Sequence, residues 1–568
     1  MKIKSSLYYA IFFILPFTVA ALFINNNIVE VQPGWKMEFY LHHINNYYKI
    51  FNPENYITEN QQKIDILHYD LFFDLFPDEK EFDASAVIKG VVKEEGLKKL
   101  ELNFYDNFII SEVKLNGIQS EFIIEDKLLT IISDDSVPLD TFEIKVTYSG
   151  TPKKAGLEGF VFGKINGTSL IYNLSEPAYA SSWFPCNDFP SDKALLDIRI
   201  KNDSSQVSVS NGILIGIDDE GERRTYHWKT KYPISTYLIA IYSSSYQHFS
   251  NEYISLDKQD TMAIDYYVLE NNMEDAKTDF AEHPAILRFF AETFGEYPFI
   301  KEKYGVAEFL WQMGAMEHQT ITGVASNIIG GKNFFLDIYI HELAHHWWGN
   351  AVGPKSWNDI WLNEGFSTYS EALYYEYKSG KSALRSTMLS NSQGSFSVSL
   401  GNPGSFLFSG TVYNKGAWVL HMLRWELGDS TFFNILREYY GKFKYSNAST
   451  EDFKNVCESI SGVNLTKYFD QWLNGTGKIE LNYKWNSKKI ANKFRTIIKL
   501  EQIQDGYEEY LFHIGITFKY DNGELETFRF KIDSKNVELS VRSNKKPVEI
   551  ILDPNDWLLM TTNELIEN

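Results

Sequence analysis

The sequence predicts a multidomain α+β protein, and three observations carry that prediction. At 568 residues the chain exceeds what one hydrophobic core usually organises, so three or more folded units are expected. Its hydrophobic and aromatic fractions, 44% and 16%, are large enough to fill several cores. Hydrophobic periodicity changes twice along the chain, from two residues to about 3.6 and back to two.

Residues 1–24 read as an export segment. Lys2 and Lys4 precede an uncharged apolar run from Leu7 to Ile24, and three asparagines follow it. A cleaved signal peptide and a retained membrane anchor both suit this length. Lysines on the N-terminal side place the bulk of the protein outside the cytoplasm, either secreted, periplasmic or anchored in the cytoplasmic membrane. Residues 25–62 form an Asn- and Tyr-rich linker, in which His42 and His43 complete no metal set.

From 63 to 250, short runs alternate in polarity, as in HYDLFFDLF, ASAVIKGVV, TFEIKVTYSG and ALLDIRIKN, with Gly, Asn, Asp and Pro between them. They predict an N-terminal β-rich domain, a sandwich or saddle, with STYLIAIYSSSY as a buried strand near its end. Residues 251–478 read as a mixed, mainly helical domain. In DFAEHPAILRFFAETFG the apolar residues recur at three- and four-residue spacing and stop at Gly295, while EKYGVAEFLWQMGAMEHQTITG reads as strand and turn. From 479 to 568 the chain returns to strands, with a hairpin closing at Asn522–Gly523, and predicts a small C-terminal β-sandwich.

Composition narrows the partners. A net charge of −21 argues against nucleic acid, whose phosphates call for clustered Lys and Arg. The two cysteines, Cys186 and Cys457, provide neither a disulfide framework nor a Cys-rich zinc module.

The chemistry concentrates in HELAHHWWGN, His341 to Asn350. In a helix His341 and His345 lie one turn apart on one face and can grip one zinc ion, with Glu342 beside the metal as a candidate general base. A buried helix whose histidines only hydrogen-bond is the rival reading, and the third ligand decides between them. Catalytic zinc usually has three protein ligands and an open position, and Glu364 in WLNEGFSTYSEAL follows His345 after eighteen residues. Glu371, seven residues on, falls near the same face. It reads either as an acceptor for a ligand histidine's free N–H or as an ordinary surface carboxylate.

These residues sit among several ordered motifs: EPAYASSWFPCNDFPSDKA, YPFIKEKYG, GAMEH, HELAH with WWGN, WLNEGF, VYNKG and FDQW. Together they resemble the aminopeptidase N and leukotriene hydrolase family of zinc metallopeptidases from about Lys63 to Trp472. The resemblance implies a thermolysin-like catalytic domain, one zinc ion per chain held by His341, His345 and Glu364, and Glu342 as general base. It further implies that Glu176 and Glu317 bind the free α-ammonium of a peptide, that Gly314, Ala315 and Met316 pair with the substrate as an added strand, and that Tyr413 donates to the oxyanion. The expected activity is removal of the N-terminal residue from peptides with a free N-terminus, without nucleic acid and with membrane association through the N-terminal segment.

Three departures qualify the resemblance. His318 stands where the family has Asn, which predicts pH-dependent binding near neutrality. Leu174 stands where many relatives carry Gln, thinning the polar set around the ammonium. The chain ends at Asn568 without the large helical domain of many relatives, which predicts a more open cleft. The rival functions are an epoxide hydrolase-type relative, a noncatalytic surface scaffold and an endopeptidase. The complete set His341, Glu342, His345, Glu364 and Tyr413 argues against the scaffold, and Glu176 with Glu317 against the endopeptidase.

Overall fold

The computed structural model describes residues 57–404 and 407–565. Residues 1–24, where export is expected, His42, His43 and the linker up to residue 56 lie outside the described residues. The end of the linker does not: Thr58 opens a short capped helix, and the buried Gln61 side chain donates to Asn103 and Asn187 of the first β unit.

Strand β1 (Ile64–Phe76) shows why this region forms a sheet. Ile64 and Ile66 point inward, the register shifts at a bulge between Ile66 and His68, and burial then continues at Tyr69, Leu71, Phe73 and Leu75. The bulge moves the apolar set from even to odd positions, which keeps one face on the core. β1 lies inside a nine-stranded sheet. A five-stranded sheet containing β2 (Thr168–Leu174) belongs to the same unit. Strand β3 (Lys193–Asp203) runs parallel to β1 and carries the sequence on toward the middle of the chain.

A second five-stranded sheet opens the next unit with strands Gln247–Ile254 and Thr261–Val268, followed by β4 (Tyr304–Phe309), β5 (Ala315–Met316) and β6 (Thr322–Ala325). Two expectations are corrected here. The region from 251 on, read as mainly helical, opens instead with strand, and its first α-helix begins at Met273. Gln247–Ile254 is an edge strand with only Tyr253 buried, so it offers little alternation to read. In STYLIAIYSSSY, the strand is confined to Ile241–Ser244 and a 3-10 turn over Thr236–Leu238 precedes it; both are buried.

The helical part is built around α1 (Leu336–Ala344), α2 (Trp361–Ser379) and α3 (Gly416–Leu427). At the crossing of α2 and α3, a Cβ on Gly365 would sit 2.8 Å from the Gly416 backbone, so two glycines permit the close approach. The tail forms a four-stranded and a three-stranded sheet, and the predicted hairpin closes through Asn522 and Gly523, whose φ is +80°. It docks on the helices: Trp425 Nε1 donates to the His513 carbonyl at 2.8 Å, and His421 stacks on Trp557 with centroids 4.5 Å apart. One buried hydrophobic cluster runs through all of these parts. The architecture is the multidomain α+β arrangement predicted above, and Cys186 and Cys457 are both buried free thiols.

Candidate metal centre and substrate cleft

Helix α1 is buried along its whole length from Asp337 to Ala344, as expected of a segment apolar on nearly every face. His341 lies in its last turn. His345 is the C-cap but keeps helical dihedrals, φ −56° and ψ −25°, so the imidazoles stay one turn apart with centroids separated by 4.6 Å. Helix α2 brings Glu364 in its first turn, where the positive end of the helix dipole favours a carboxylate. Glu364 Oε2 lies 3.2 Å from His341 Nε2 and 3.3 Å from His345 Nε2.

Each histidine is engaged from behind through its other nitrogen. His341 Nδ1–H donates to Glu371 Oε1 at 2.7 Å, and His345 Nδ1–H donates to the Trp348 carbonyl at 3.0 Å, with Ser367 Oγ also at 3.0 Å. A carbonyl and an ionised carboxylate accept only, so this network assigns the proton of each ring to Nδ1 and turns both Nε2 lone pairs toward Glu364. Two Nε2 atoms and a carboxylate oxygen at these distances need a proton or a metal ion between them. The three ligand atoms fall within 4.8 Å of one another, and two imidazoles with one carboxylate are the donor set of a catalytic zinc site. Burial alone would raise the Glu364 carboxyl, but when His345 and His341 carry a proton on Nε2 they outweigh it and hold the carboxyl at about 2; a metal ion between neutral rings would supply the same positive charge, so the ligand is ionised. The surface reading of Glu371 is excluded, because its side chain is 1% exposed.

Around these ligands lie carboxylates with unmet needs. Glu342, Glu176 and Glu317 are buried, and one oxygen of each has no hydrogen-bond partner. Glu176 and Glu317 come within 4.8 Å of each other and of Glu364. Burial raises both carboxyls, and the charge of Glu317 adds to the rise at Glu176. Burial also pushes Glu342 up to about 8, opposed by His341 and reinforced by Glu317. A divalent cation at the neighbouring ligands would draw it back toward neutrality, the range a general base requires. Uncompensated carboxylates in a dry site are costly, so the cleft favours cationic occupants.

Tyr413 sits on a π-turn, Thr411–Lys415, at the start of α3, and its ring lies nearly parallel to His341 at 5.8 Å and 19°. π-Turns inside helices occur frequently at functional sites. Burial first, and then the charge of Glu364, hold its hydroxyl protonated, which makes it a donor. Strand β5 is the outermost strand of its sheet, pairing only with β6 through Ala315 with Val324 and Met316 with Gly323. Gly314 precedes it with φ +140°, and its carbonyl accepts from Ala325 N–H at 3.0 Å.

Glu176, Gly314, Ala315, Met316, Glu317, His341, Glu342, His345, Glu364 and Tyr413 all line one cleft. The same cleft has an apolar wall that sequence reasoning did not identify: Leu157, Trp311, Met313, Ile338 and Phe408. These come from separate segments, and no spacing rule joins them. Leu174 is fully buried at the end of β2, two residues before Glu176. The expectation for His318 is corrected. Its ring is fully buried, its Nδ1 lies 2.6 Å from the Tyr242 hydroxyl, and burial lowers its pKa to about 3, far below neutrality.

Two family models match this chain: the peptidase M1 N-terminal domain over residues 66–238 and the peptidase family M1 domain over residues 277–472. The chain belongs to peptidase family M1. It is 25% identical over 511 residues to "Probable aminopeptidase 1" of Sulfurisphaera tokodaii, covering 85% of this chain and 62% of that protein. It is 26% identical to "Aminopeptidase 2, mitochondrial" of Saccharomyces cerevisiae, covering 83% and 53%. The chain thus spans less than two thirds of the length of these relatives. Its fold resembles the M1 zinc metallopeptidase from Deinococcus radiodurans, with a TM-score of 0.66 and 24% identity over 76% of this chain and 96% of that one. It also resembles Legionella pneumophila aminopeptidase A in complex with aspartic acid, with a TM-score of 0.79 and 17% identity over 91% and 61%. Among the described residues of this M1 chain no helix is long and apolar enough to cross a membrane.

Proposed function

We propose that this chain is a zinc-dependent aminopeptidase, an exopeptidase hydrolase that removes the first residue from peptides with a free N-terminus. The observation that carries the reading is the pair of buried carboxyl groups, Glu176 and Glu317, each with an oxygen lacking a hydrogen-bond partner, in the cleft that holds His341, His345 and Glu364. A substrate α-ammonium would offset those charges, whereas a blocked N-terminus would leave them buried and unpaired.

When bound at the three ligands, zinc would polarise the scissile carbonyl and acidify a water. The cation-binding sets among the described residues overlap within this one cleft, which supports a single ion per chain. Glu342 takes the proton of the attacking water and passes it to the leaving amine. Tyr413 donates a hydrogen bond to the oxyanion, where charge develops in the transition state. Gly314, Ala315 and Met316 offer the open edge of β5 to the substrate backbone. Glu176 and Glu317 fix the register, so only the first residue is removed.

The site of action we infer lies outside the cytoplasm. Lys2, Lys4 and the apolar run from Leu7 to Ile24 support export, with the segment either cleaved or retained as an anchor.

Glu342→Gln tests the chemistry. The variant should keep zinc near one per chain by atomic emission and lose turnover; loss of the metal along with activity would assign Glu342 to the ligand set and remove it as the base.

A further inference from the structure

The turn that follows α1 is held from an unexpected direction. Lys193 stands at the start of β3, in the N-terminal β unit, and reaches across to the helical unit. Its Nζ donates to three backbone carbonyls, Asn350 at 2.7 Å, Ala351 at 3.1 Å and Ser446 at 3.0 Å. Two of these belong to the turn just beyond the metal helix, where the Ala351 carbonyl also accepts from Tyr445 N–H at 2.7 Å. The fit is close: a Cβ at Gly353 would lie 3.0 Å from Lys193 Cε.

Asn350 is the hub of this turn. It is fully buried, its N–H donates to the His345 carbonyl at 2.9 Å, and its side-chain Nδ2 donates to the Glu317 carbonyl at 2.7 Å. The same residue therefore touches the lysine through its carbonyl, the second metal ligand through its amide, and the ammonium-binding segment through its side chain. β5 ends at Met316 on the sheet edge, and the segment is pinned again only from His318 onward, by Tyr242 on the His318 ring, Asn211 on the Gln319 carbonyl and His346 on the Thr320 N–H, so Asn350 holds the carbonyl between those two anchors. A buried side-chain amide can hold another segment in place only if its own backbone is fixed. The Asn350 N–H and the neighbouring backbone bonds of the turn supply part of that fixing, and Lys193 adds the hold on the Asn350 carbonyl from outside the helical unit.

We propose that Lys193 is a positioning residue: acting through Asn350, it sets where the Glu317 carboxylate meets the substrate α-ammonium, and so couples the N-terminal β unit to recognition of the free N-terminus. The inference rests on the aminopeptidase reading above, in which Glu317 receives that ammonium. It differs from a general structural role in one respect. Losing the lysine should damage the part of binding that depends on the ammonium and spare the part that depends on the metal.

Two inhibitors separate those parts: leucine hydroxamate, which carries the α-amino group, and 4-methylpentanohydroxamate, which lacks it. Both present the same metal-binding hydroxamate. In the zinc-loaded wild-type protein the amino compound should bind more tightly. In Lys193→Met that advantage should shrink about tenfold, the scale of one impaired buried hydrogen bond to a charged site, while the des-amino compound keeps its inhibition constant. Asn350→Ala should shrink it similarly, and the double variant should lose no more than the more damaged single one. Lys193→Gln, which keeps a donor, should recover part of the advantage. An unchanged preference in Lys193→Met, or an equal weakening of both inhibitors, would overturn the proposal, as would failure of both Lys193 variants to fold, which would make the lysine purely structural. If wild-type protein itself shows no preference for the amino compound, the reading of Glu317 fails instead.

Discussion

Glu371 Oε1 lies 2.7 Å from His341 Nδ1, behind the ring and away from the cleft, with both side chains almost wholly buried. The carboxylate fixes the imidazole's orientation and its tautomer, and so aims Nε2 at the position shared with His345 and Glu364.

Removing that support should weaken the metal before it weakens the fold. Glu371→Ala is expected to lose about 10- to 100-fold in zinc affinity, measured by competition with a chromogenic chelator. Unchanged affinity would reduce Glu371 to a buried ion-pair partner without influence on the metal.

Tyr413 makes its contribution in the transition state. With its hydroxyl protonated and its ring beside His341, Tyr413→Phe should lower kcat about 100- to 1000-fold with little change in KM, zinc content or Tm. A rise in KM with kcat preserved would instead place the hydroxyl in ground-state binding.

His283 predicts part of the acid sensitivity of the fold. Its ring packs nearly parallel to Phe280, at 5.3 Å, and Tyr266, at 5.7 Å, and burial lowers its pKa to about 3. In the unfolded chain the same group titrates near 6.5. Between those values the unfolded state binds more protons, so this stability is complete above about pH 6.5 and is lost as pH falls toward 3. His283→Phe should therefore lose about 1.4 kcal/mol less per pH unit in that window, read by urea unfolding at pH 6 and 4.5. Equal losses in variant and wild type would contradict the neutral, buried histidine.

Spacing within each helix was legible because helix geometry is periodic. His341 and His345 one turn apart, and Glu364 and Glu371 seven residues apart, follow from 3.6 residues per turn without any tertiary knowledge. Depth was not legible in the same way. Glu371 reads as buried or exposed with equal ease until α2 is seen enclosed as far as Tyr374. His318 reads as a pH-sensitive group until its ring is found sealed against Tyr242. The strand Gln247–Ile254 was missed for the opposite reason, since an edge strand with one buried residue has almost no pattern. The apolar wall of Leu157, Trp311, Met313, Ile338 and Phe408, and the reach of Lys193 to Asn350, are products of tertiary folding, and local periodicity contains neither.

The central claim is that a metal-dependent cleft recognises a free N-terminus. It is tested most directly by offering the purified protein a panel of aminoacyl-coumarins, each with a free or an acetylated α-amine, before and after chelation. The account predicts cleavage of the free-amine substrates alone, lost on chelation and restored by zinc. Cleavage of acetylated and free substrates alike, or no cleavage at all by folded, zinc-loaded protein, would contradict it.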